Sequence, residues 1–172
     1  MRTNDITRIA LVSAIMCIAA PMSFPIGAVP VSLATLVIYM ASAVLGGRNA
    51  VISVIIYLMI GIAGIPVFSA FSSGIGTFLG PTGGYIIGYI PCAYIIGAIA
   101  ERSRKNIAGY IFGTVFGTVV LYIFGTAWFM IQSLNGLYES IIICVLPFIF
   151  GDIVKILIAV LLYKGIAVKN IL

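Results

Sequence analysis

Two residues of opposite charge, Asp152 and Lys155, lie within a long apolar stretch near the end of the chain. Their spacing of three residues places both side chains on one face of a helix. A lone charge at the centre of a bilayer costs at least roughly 2.5–3.5 kcal/mol, so such residues normally face a protein interior or a wet cavity and have a partner. Pro147 and Gly151 loosen the helix just upstream and free backbone groups for a ligand. We therefore predict that the pair faces a cavity and binds a ligand or an ion; the alternative is a structural ion pair that only neutralises itself.

A glycine-rich segment, residues 74–85, is the second candidate region. It reads Gly-Ile-Gly-Thr-Phe-Leu-Gly-Pro-Thr-Gly-Gly-Tyr. The segment lacks the Gly-Lys-Ser/Thr ending and the strand context of a phosphate-binding loop, so we exclude a nucleotide site. Glycines at a helix start allow close approach of a ligand to the backbone, and the helix N-terminus attracts an anionic group. Tight helix packing by small residues is the alternative, and these residues leave both open.

Two further patterns have a weaker chemical meaning. Ala10 and Ala14 are small residues four positions apart, and they give the first helix a smooth face that another helix can approach closely. Several aromatic residues could stack on a ring-bearing substrate, although packing and interfacial anchoring are their more general roles. These aromatic residues are Tyr39, Tyr57, Phe68, Phe71, Tyr85, Tyr89 and Trp128.

The sequence argues against a catalytic or metal site. Histidine is absent, and only four residues are acidic. The three cysteines, Cys17, Cys92 and Cys144, lie in separate apolar segments without a CxxC spacing, as buried thiols do. An intramembrane enzyme would need an acid/base or metal-binding set that this composition does not provide. We therefore expect no catalytic residue, no metal and no cofactor.

The elements that position these residues are membrane helices. The chain of 172 residues is 63% hydrophobic and only 8% charged, whereas an average soluble protein has about 25% charged residues. A helix needs roughly 20 apolar residues to span a bilayer. We predict one all-α transmembrane domain over residues 1–172, a bundle of six helices with an uncleaved first helix. The predicted helices cover residues 6–20, 31–45, 50–63, 83–100, 107–131 and 138–163. Residues 67–82 carry no charge and are interpreted as a lid over a pocket or as a surface linker.

The basic residues predict the orientation of these helices. Eight of the nine Lys and Arg residues fall on one side of the predicted bundle, and Lys155 is the ninth. The eight are Arg2, Arg8, Arg48, Arg102, Arg104, Lys105, Lys164 and Lys169. Cytoplasmic loops carry an excess of Lys and Arg, so both termini are predicted to be cytoplasmic. The net charge of +5 follows from this topology, and no nucleic-acid partner is expected.

Five sequence blocks together form a recognisable pattern. They cover residues 30–36 (Pro-Val-Ser-Leu-Ala-Thr-Leu), 61–68, 79–85, 125–128 (Gly-Thr-Ala-Trp) and 146–155, the block that contains the charged pair. In type and order they are similar to the BioY family, the biotin-specific substrate-binding subunits of energy-coupling factor importers. Two positions depart from the family pattern: Ala34 stands where Gln is frequent, and Phe150 stands where Pro is frequent. The first could alter a polar contact near the pocket, and the second should change helix geometry only slightly.

The resemblance implies a six-helix bundle in the bacterial cell membrane that binds biotin from outside with high affinity. Family members work with a membrane-embedded coupling subunit and two cytoplasmic ATPases. In related substrate-binding subunits an Ala-x-x-x-Ala face on the first helix docks the coupling subunit, and Ala10 and Ala14 match it. Because this chain has no nucleotide-binding motif, it cannot itself couple ATP hydrolysis to transport.

The chemistry of biotin suggests which residues bind it. Asp152 as a carboxylate could accept hydrogen bonds from the ureido N–H groups, and Lys155 could donate to the ureido carbonyl or instead bind the carboxylate tail. Phe68 and Tyr85 are expected to cover the fused ring. Hydroxyls and backbone N–H groups are expected to bind the tail. They belong to Thr77, Thr82, Gly83 and Gly84.

Two other functions remain open from the residues. The chain could bind another vitamin, such as thiamine or riboflavin, which composition does not exclude but the sequence blocks argue against. It could also conduct protons or ions through a relay made by Asp152 and Lys155. A current insensitive to biotin would distinguish the conductor from the importer subunit.

Overall fold

The computed structural model describes residues 3–24, 30–103, 106–134 and 136–168. Within these ranges the chain forms seven α-helices. They are α1 (Thr3–Ala19), α2 (Ala34–Ile62), α3 (Gly74–Leu79), α4 (Gly83–Arg102), α5 (Ile107–Ser133), α6 (Leu137–Cys144) and α7 (Leu146–Val168). A two-residue antiparallel pair, β1 (Ser23–Phe24) with β2 (Val31–Ser32), and a 3₁₀ turn at Ser69–Phe71 lie in the connections.

Four helices in the described residues are long and apolar enough to cross a membrane. They cover Ala34–Ile62, Gly83–Arg102, Ile107–Ser133 and Leu146–Gly165. A helix satisfies its own backbone hydrogen bonds, which lipid cannot do, so these apolar sequences fold as helices in a bilayer. The predicted class, an all-helical membrane protein, is confirmed. The helix α4 lies at the centre between α2 and α5, while α1 packs on α2 and α7 packs against α2, α5 and α6.

The two helices predicted over residues 31–45 and 50–63 form one element, α2, that changes direction inside. The backbone at Gly46 is not helical, with φ of 76°. Thr35 near the start of α2 and Phe68, which packs on Gly61 near its end, line the same cavity. A straight helix of 29 residues would hold its two ends about 44 Å apart at 1.5 Å per residue. The chain therefore folds back at Gly46, where a left-handed conformation favours glycine.

The corner of α2 is held by a close approach to α4. A Cβ atom added to Gly97 would lie 2.2 Å from the backbone nitrogen of Gly47, so the two backbones touch only because both positions lack side chains. Small residues thus decide where α2 and α4 meet.

The prediction of one continuous helix over residues 138–163 is wrong. Its range is divided into α6 and α7 at Val145, whose φ of −119° departs from helical geometry. Pro147 explains the break, because proline has no N–H to continue the hydrogen-bond ladder and is tolerated in the first turn of a new helix. Pro147 therefore lies in the first turn of α7, a separate helix that carries the charged pair.

Residues 67–82, predicted as a lid or a linker, are partly ordered into the 3₁₀ turn and α3. Side chains from elsewhere tie the segment down at both ends. Ser23 accepts a hydrogen bond from the N–H of Ala70 (2.8 Å), and Trp128 Nε1 donates to the carbonyl oxygen of Gly80 (3.0 Å). The segment is therefore a fixed part of the fold, and it covers one side of the cavity that Thr35 and Phe68 line.

Candidate ligand-binding site

A cavity of about 260 Å³ lies near one end of the bundle. It is bounded by the first turns of α2, α4 and α7, by the middle of α5, and by the connections before α2 and α4. Its volume is slightly below the roughly 300–1,000 Å³ typical of pockets for drug-sized ligands. The space is therefore suited to a small metabolite.

The charged pair lies in the wall of this cavity and is linked to two other helices. Lys155 Nζ donates to Asp152 Oδ1 (3.0 Å) and to Thr35 Oγ1 (2.9 Å). The hydroxyl of Tyr122 donates to the other carboxylate oxygen, Asp152 Oδ2 (2.6 Å). Asp152 is 4% exposed and Lys155 is 6% exposed. A single hydrogen-bonded chain therefore connects α2, α7 and α5 at the cavity surface.

The pair still has hydrogen-bonding capacity for a ligand. An ammonium group has three donors, and Lys155 uses two of them on described residues. A carboxylate has about four acceptor positions, and two of those on Asp152 receive the bonds from Lys155 and Tyr122. One donor and about two acceptor positions therefore remain at a surface that faces the cavity.

Aromatic rings form the apolar part of the wall. Phe68 meets Tyr57 edge to face, with centroids 5.8 Å apart and planes at 83°. Tyr85 stacks on Phe148 at 5.8 Å, and its hydroxyl donates to the carbonyl oxygen of Cys144 at the end of α6. Phe68 and Tyr85 are thus fixed in place by packing and line the cavity, where a fused apolar ring could lie between them.

Hydroxyl groups line the part of the cavity formed by the segment before α4. Thr77 and Thr82 both contribute to the lining, together with Ser69 in the 3₁₀ turn and Ser72 directly after it. Thr77 Oγ1 donates to the carbonyl oxygen of Ser73 (2.9 Å), which leaves the oxygen free to accept. The structure thus brings Thr77 and Thr82 to the same cavity as the charged pair.

Gly83 and Gly84 are near the cavity but are not among the residues that line it. A Cβ atom on Gly84 would lie 2.2 Å from Cβ of Trp128, and the N–H of Gly83 donates to the carbonyl oxygen of Gly80 (3.0 Å). The structure therefore supports the packing interpretation of these glycines, and a direct role in ligand binding stays a prediction.

Ala10 and Ala14 lie away from the cavity on the exposed face of α1. The opposite face of α1 packs on α2, where Ser13 Oγ donates to the carbonyl oxygen of Ser53 (3.0 Å). The alanine face is thus directed outward from the bundle, as a helix-docking surface requires.

Sequence reasoning missed several members of the site, among them Thr35, Tyr122 and Phe148. Thr35 and Phe148 lie inside sequence blocks already singled out, and this was the available signal. Tyr122 is a polar group in the apolar helix α5, 30 residues before Asp152, and no local spacing connects the two. Within the described residues no cluster of His, Cys, Asp or Glu could hold a metal ion.

Comparison with known proteins gives the family. A sequence profile of the BioY family matches residues 1–170. The chain belongs to the BioY family. It is 36% identical over 162 residues to the probable biotin transporter BioY of Pyrococcus horikoshii, a match that covers 94% of this chain and 95% of the relative. It is 30% identical over 160 residues to the biotin transporter BioY of Thermotoga maritima, which covers 92% and 93% of the two chains.

A solved structure supports the same family assignment. The crystal structure of the S-component for biotin from an ECF-type ABC transporter superposes with a TM-score of 0.88. The two chains are 30% identical, and the match covers 97% of this BioY family member and 94% of the other chain.

Proposed function

We propose that this BioY family member binds biotin on the outer side of the membrane and delivers it inward as the substrate-binding subunit of an energy-coupled importer. The proposal is supported by relatives that are named biotin transporters and by the similarity to an S-component for biotin. The observation that carries it is the buried, incompletely used pair of Asp152 and Lys155 in a cavity for a small molecule. A binding role needs such a site, and no catalytic set is required.

The remaining hydrogen-bonding capacity of the pair matches a ureido ring. Two N–H donors of the ligand meet the acceptor positions left on Asp152, and the third N–H of Lys155 meets the ureido carbonyl oxygen. Charge-assisted hydrogen bonds in a buried site are about twice as strong as neutral ones, so the ring end supplies both affinity and selectivity. Phe68 and Tyr85 cover the apolar rings. An analogue without the ureido N–H groups and carbonyl oxygen would leave the polar atoms of Asp152 and Lys155 unpaired.

In this proposal the carboxylate tail of the ligand lies beside the hydroxyls of Thr77 and Thr82, and Thr77 donates to it by turning its proton away from the carbonyl oxygen of Ser73. Among the cavity residues that the structure describes, Lys155 is the only cation, and Asp152 already neutralises it. The alternative, in which Lys155 binds the carboxylate tail directly, predicts a large loss of affinity for ligands with a neutral tail.

The proposed topology has six crossings with both termini in the cytoplasm. The six are α1, the two arms of α2 on either side of Gly46, α4, α5, and α6 with α7. Arg48, Arg102 and Lys164 lie at helix ends or turns remote from the cavity. Basic residues prefer the cytoplasmic side, so the cavity end faces outward in this multi-pass protein of a bacterial cell membrane.

The proposed partners are a membrane-embedded coupling subunit and two cytoplasmic ATPases. The exposed alanine face of α1 is the proposed docking surface, because Ala10 and Ala14 allow a partner helix to approach closely. Biotin occupies the cavity, so binding and docking use different surfaces of the same subunit.

Identification of the bound molecule tests this function. The protein is purified in detergent without added ligand, and small molecules released by denaturation are analysed by mass spectrometry, with isothermal calorimetry of biotin in parallel. We expect biotin among the released molecules and one site per chain. Binding of thiamine or riboflavin in place of biotin would assign another vitamin. A biotin-insensitive proton flux through vesicles that contain the purified chain would support a conductor instead.

A further inference from the structure

Tyr122 makes the shortest side-chain contact to the charged pair. Its hydroxyl donates to Asp152 Oδ2 at 2.6 Å, while Lys155 Nζ contacts Oδ1 at 3.0 Å. A distance of 2.6 Å lies in the range of about 2.5–2.7 Å for a charge-assisted O–H···O⁻ hydrogen bond. Both oxygens of the carboxylate are therefore held, each by a different donor.

The two donors restrict Asp152 in different ways. Lys155 lies one turn further along the same helix, so its contact moves with Asp152 when α7 moves. Tyr122 reaches the carboxylate from α5, which is a separate helix. The final torsion of an aspartate side chain is broad and poorly defined by itself. Donors on two helices set this torsion, and they thereby set the directions of the acceptor positions that remain.

We propose that Tyr122 is a positioning residue that determines specificity for the ureido group. It holds the plane of the Asp152 carboxylate so that the acceptor positions left over meet both N–H groups of the ligand. The inference rests on the proposed function, because it concerns the same site. It adds a residue outside the sequence blocks that indicated the family.

The position of Tyr122 in the wall explains why the hydroxyl matters more than the ring. The side chain is half-buried, and it lines both the cavity and an open apolar groove between α5 and α6. A phenylalanine would keep an aromatic ring between the cavity and the groove. It would, however, leave Asp152 Oδ2 without its donor, and the carboxylate could then rotate away from the geometry that the ligand needs.

The substitution Tyr122→Phe tests the proposal with two ligands in the purified protein. The ligands are biotin and a biotin methylated on one ureido nitrogen, which offers one N–H fewer to Asp152. Loss of a hydrogen bond to a charged group corresponds to a biotin affinity about 10- to 100-fold lower. The affinity for the methylated analogue should fall by a smaller factor. The ratio of the biotin affinity to the analogue affinity should therefore be smaller in the variant than in the parent protein. A purely structural role would lower both affinities by the same factor.

Tyr39→Phe is the matched control. Tyr39 is a buried tyrosine whose hydroxyl lies 2.8 Å from Thr118 Oγ1, and it does not line the cavity. This control should leave the affinity ratio unchanged, and the melting temperatures of both variants report on the fold. An unchanged biotin affinity in Tyr122→Phe, or an equal loss for both ligands, would overturn the positioning role and leave the proposed function intact. Absence of biotin binding by the parent protein would overturn both.

Discussion

The charged pair in α7 and the alanine pair in α1 differ in what surrounds them. Asp152 and Lys155 are buried, face a cavity and are hydrogen-bonded to two other helices. Ala10 and Ala14 are exposed on a helix whose other face is packed. Both pairs interrupt the usual pattern of large apolar residues, one by charge and one by small size. Because the two pairs lie on different surfaces, the proposed ligand site and the proposed docking face can be changed separately.

The largest effect is expected from breaking the charged pair. Asp152→Asn or Lys155→Met leaves the remaining charge buried without its partner, which typically costs about 3–5 kcal/mol. In the proposed complex biotin contacts both groups, and loss of one partner of a buried charged contact also costs several kcal/mol in binding, so biotin affinity should fall roughly 100-fold to several thousand-fold. Calorimetry on the purified variants measures the loss. Glu101→Gln, at the end of α4 that is remote from the cavity, is the matched control. Parent-like binding by both site variants would show that the site is assigned wrongly.

The alanine pair is expected to affect transport and leave binding intact. Ala10→Trp or Ala14→Trp adds a large side chain to the exposed face of α1 and should keep a partner helix from approaching. Uptake of labelled biotin by cells that contain the coupling subunit and ATPases should fall about tenfold, which equals about 1.4 kcal/mol of docking free energy.

A lipid-facing substitution provides the control for that experiment. Leu161 in α7 is 69% exposed, so Leu161→Trp adds comparable bulk to another outward face. Uptake should stay at the parent level in this control. Lost biotin binding by the purified Ala10 or Ala14 variants would contradict the separation of the two surfaces.

A smaller effect is expected from removing the hydroxyl of Thr35, which accepts a hydrogen bond from Lys155. Thr35→Val keeps the shape of the side chain but removes the acceptor for Lys155 Nζ. The net contribution of such a bond is about 1.5–3 kcal/mol, and part of it is recovered when the ammonium turns to Asp152 or to the ligand. We expect biotin affinity to fall about tenfold. Thr118 is a buried threonine that does not line the cavity, so Thr118→Val is the control and should leave biotin affinity unchanged. Equal losses of affinity in both variants would indicate a general packing defect.

The smallest effect is expected from neutralising the ligand tail. Biotin amide has the same rings but no carboxylate. Because Asp152 already neutralises Lys155, the cavity residues in the described part of the chain offer the tail no free cation. The amide should therefore bind within about tenfold of biotin in competition calorimetry. A much larger loss would place the carboxylate on Lys155 and reverse the proposed orientation of the ligand.

Local sequence patterns predicted the two pairs for a physical reason. The spacing of Asp152 and Lys155 fixes their common helix face, because side chains three residues apart on a helix are neighbours. The same applies to Ala10 and Ala14, which share the exposed face of α1. Thr77 and Thr82 line the cavity, and Gly83 and Gly84 from the same segment pack against α5. The role of all four in ligand binding stays a prediction.

The helix boundaries were predicted less well where backbone geometry changes abruptly. The break at Val145 divides one predicted helix into two, although Pro147 was visible in the sequence. Proline can kink a helix or begin a new one, and the surrounding packing selects between these outcomes. At Gly46 two predicted helices are joined by a single non-helical residue, and the sequence had suggested a longer connection.

Composition and charge distribution by themselves determined that this chain is an all-helical membrane protein and that Asp152 and Lys155 need polar partners. Only the tertiary structure decided which groups are these partners. Thr35 lies 120 residues from Lys155 and Tyr122 lies 30 residues from Asp152, yet all four meet at one cavity. Helix periodicity is a local property that acts over a few residues. Contacts between helices depend on where the chain turns at Gly46 and on how closely small residues let the helices approach, and these are properties of the packed bundle.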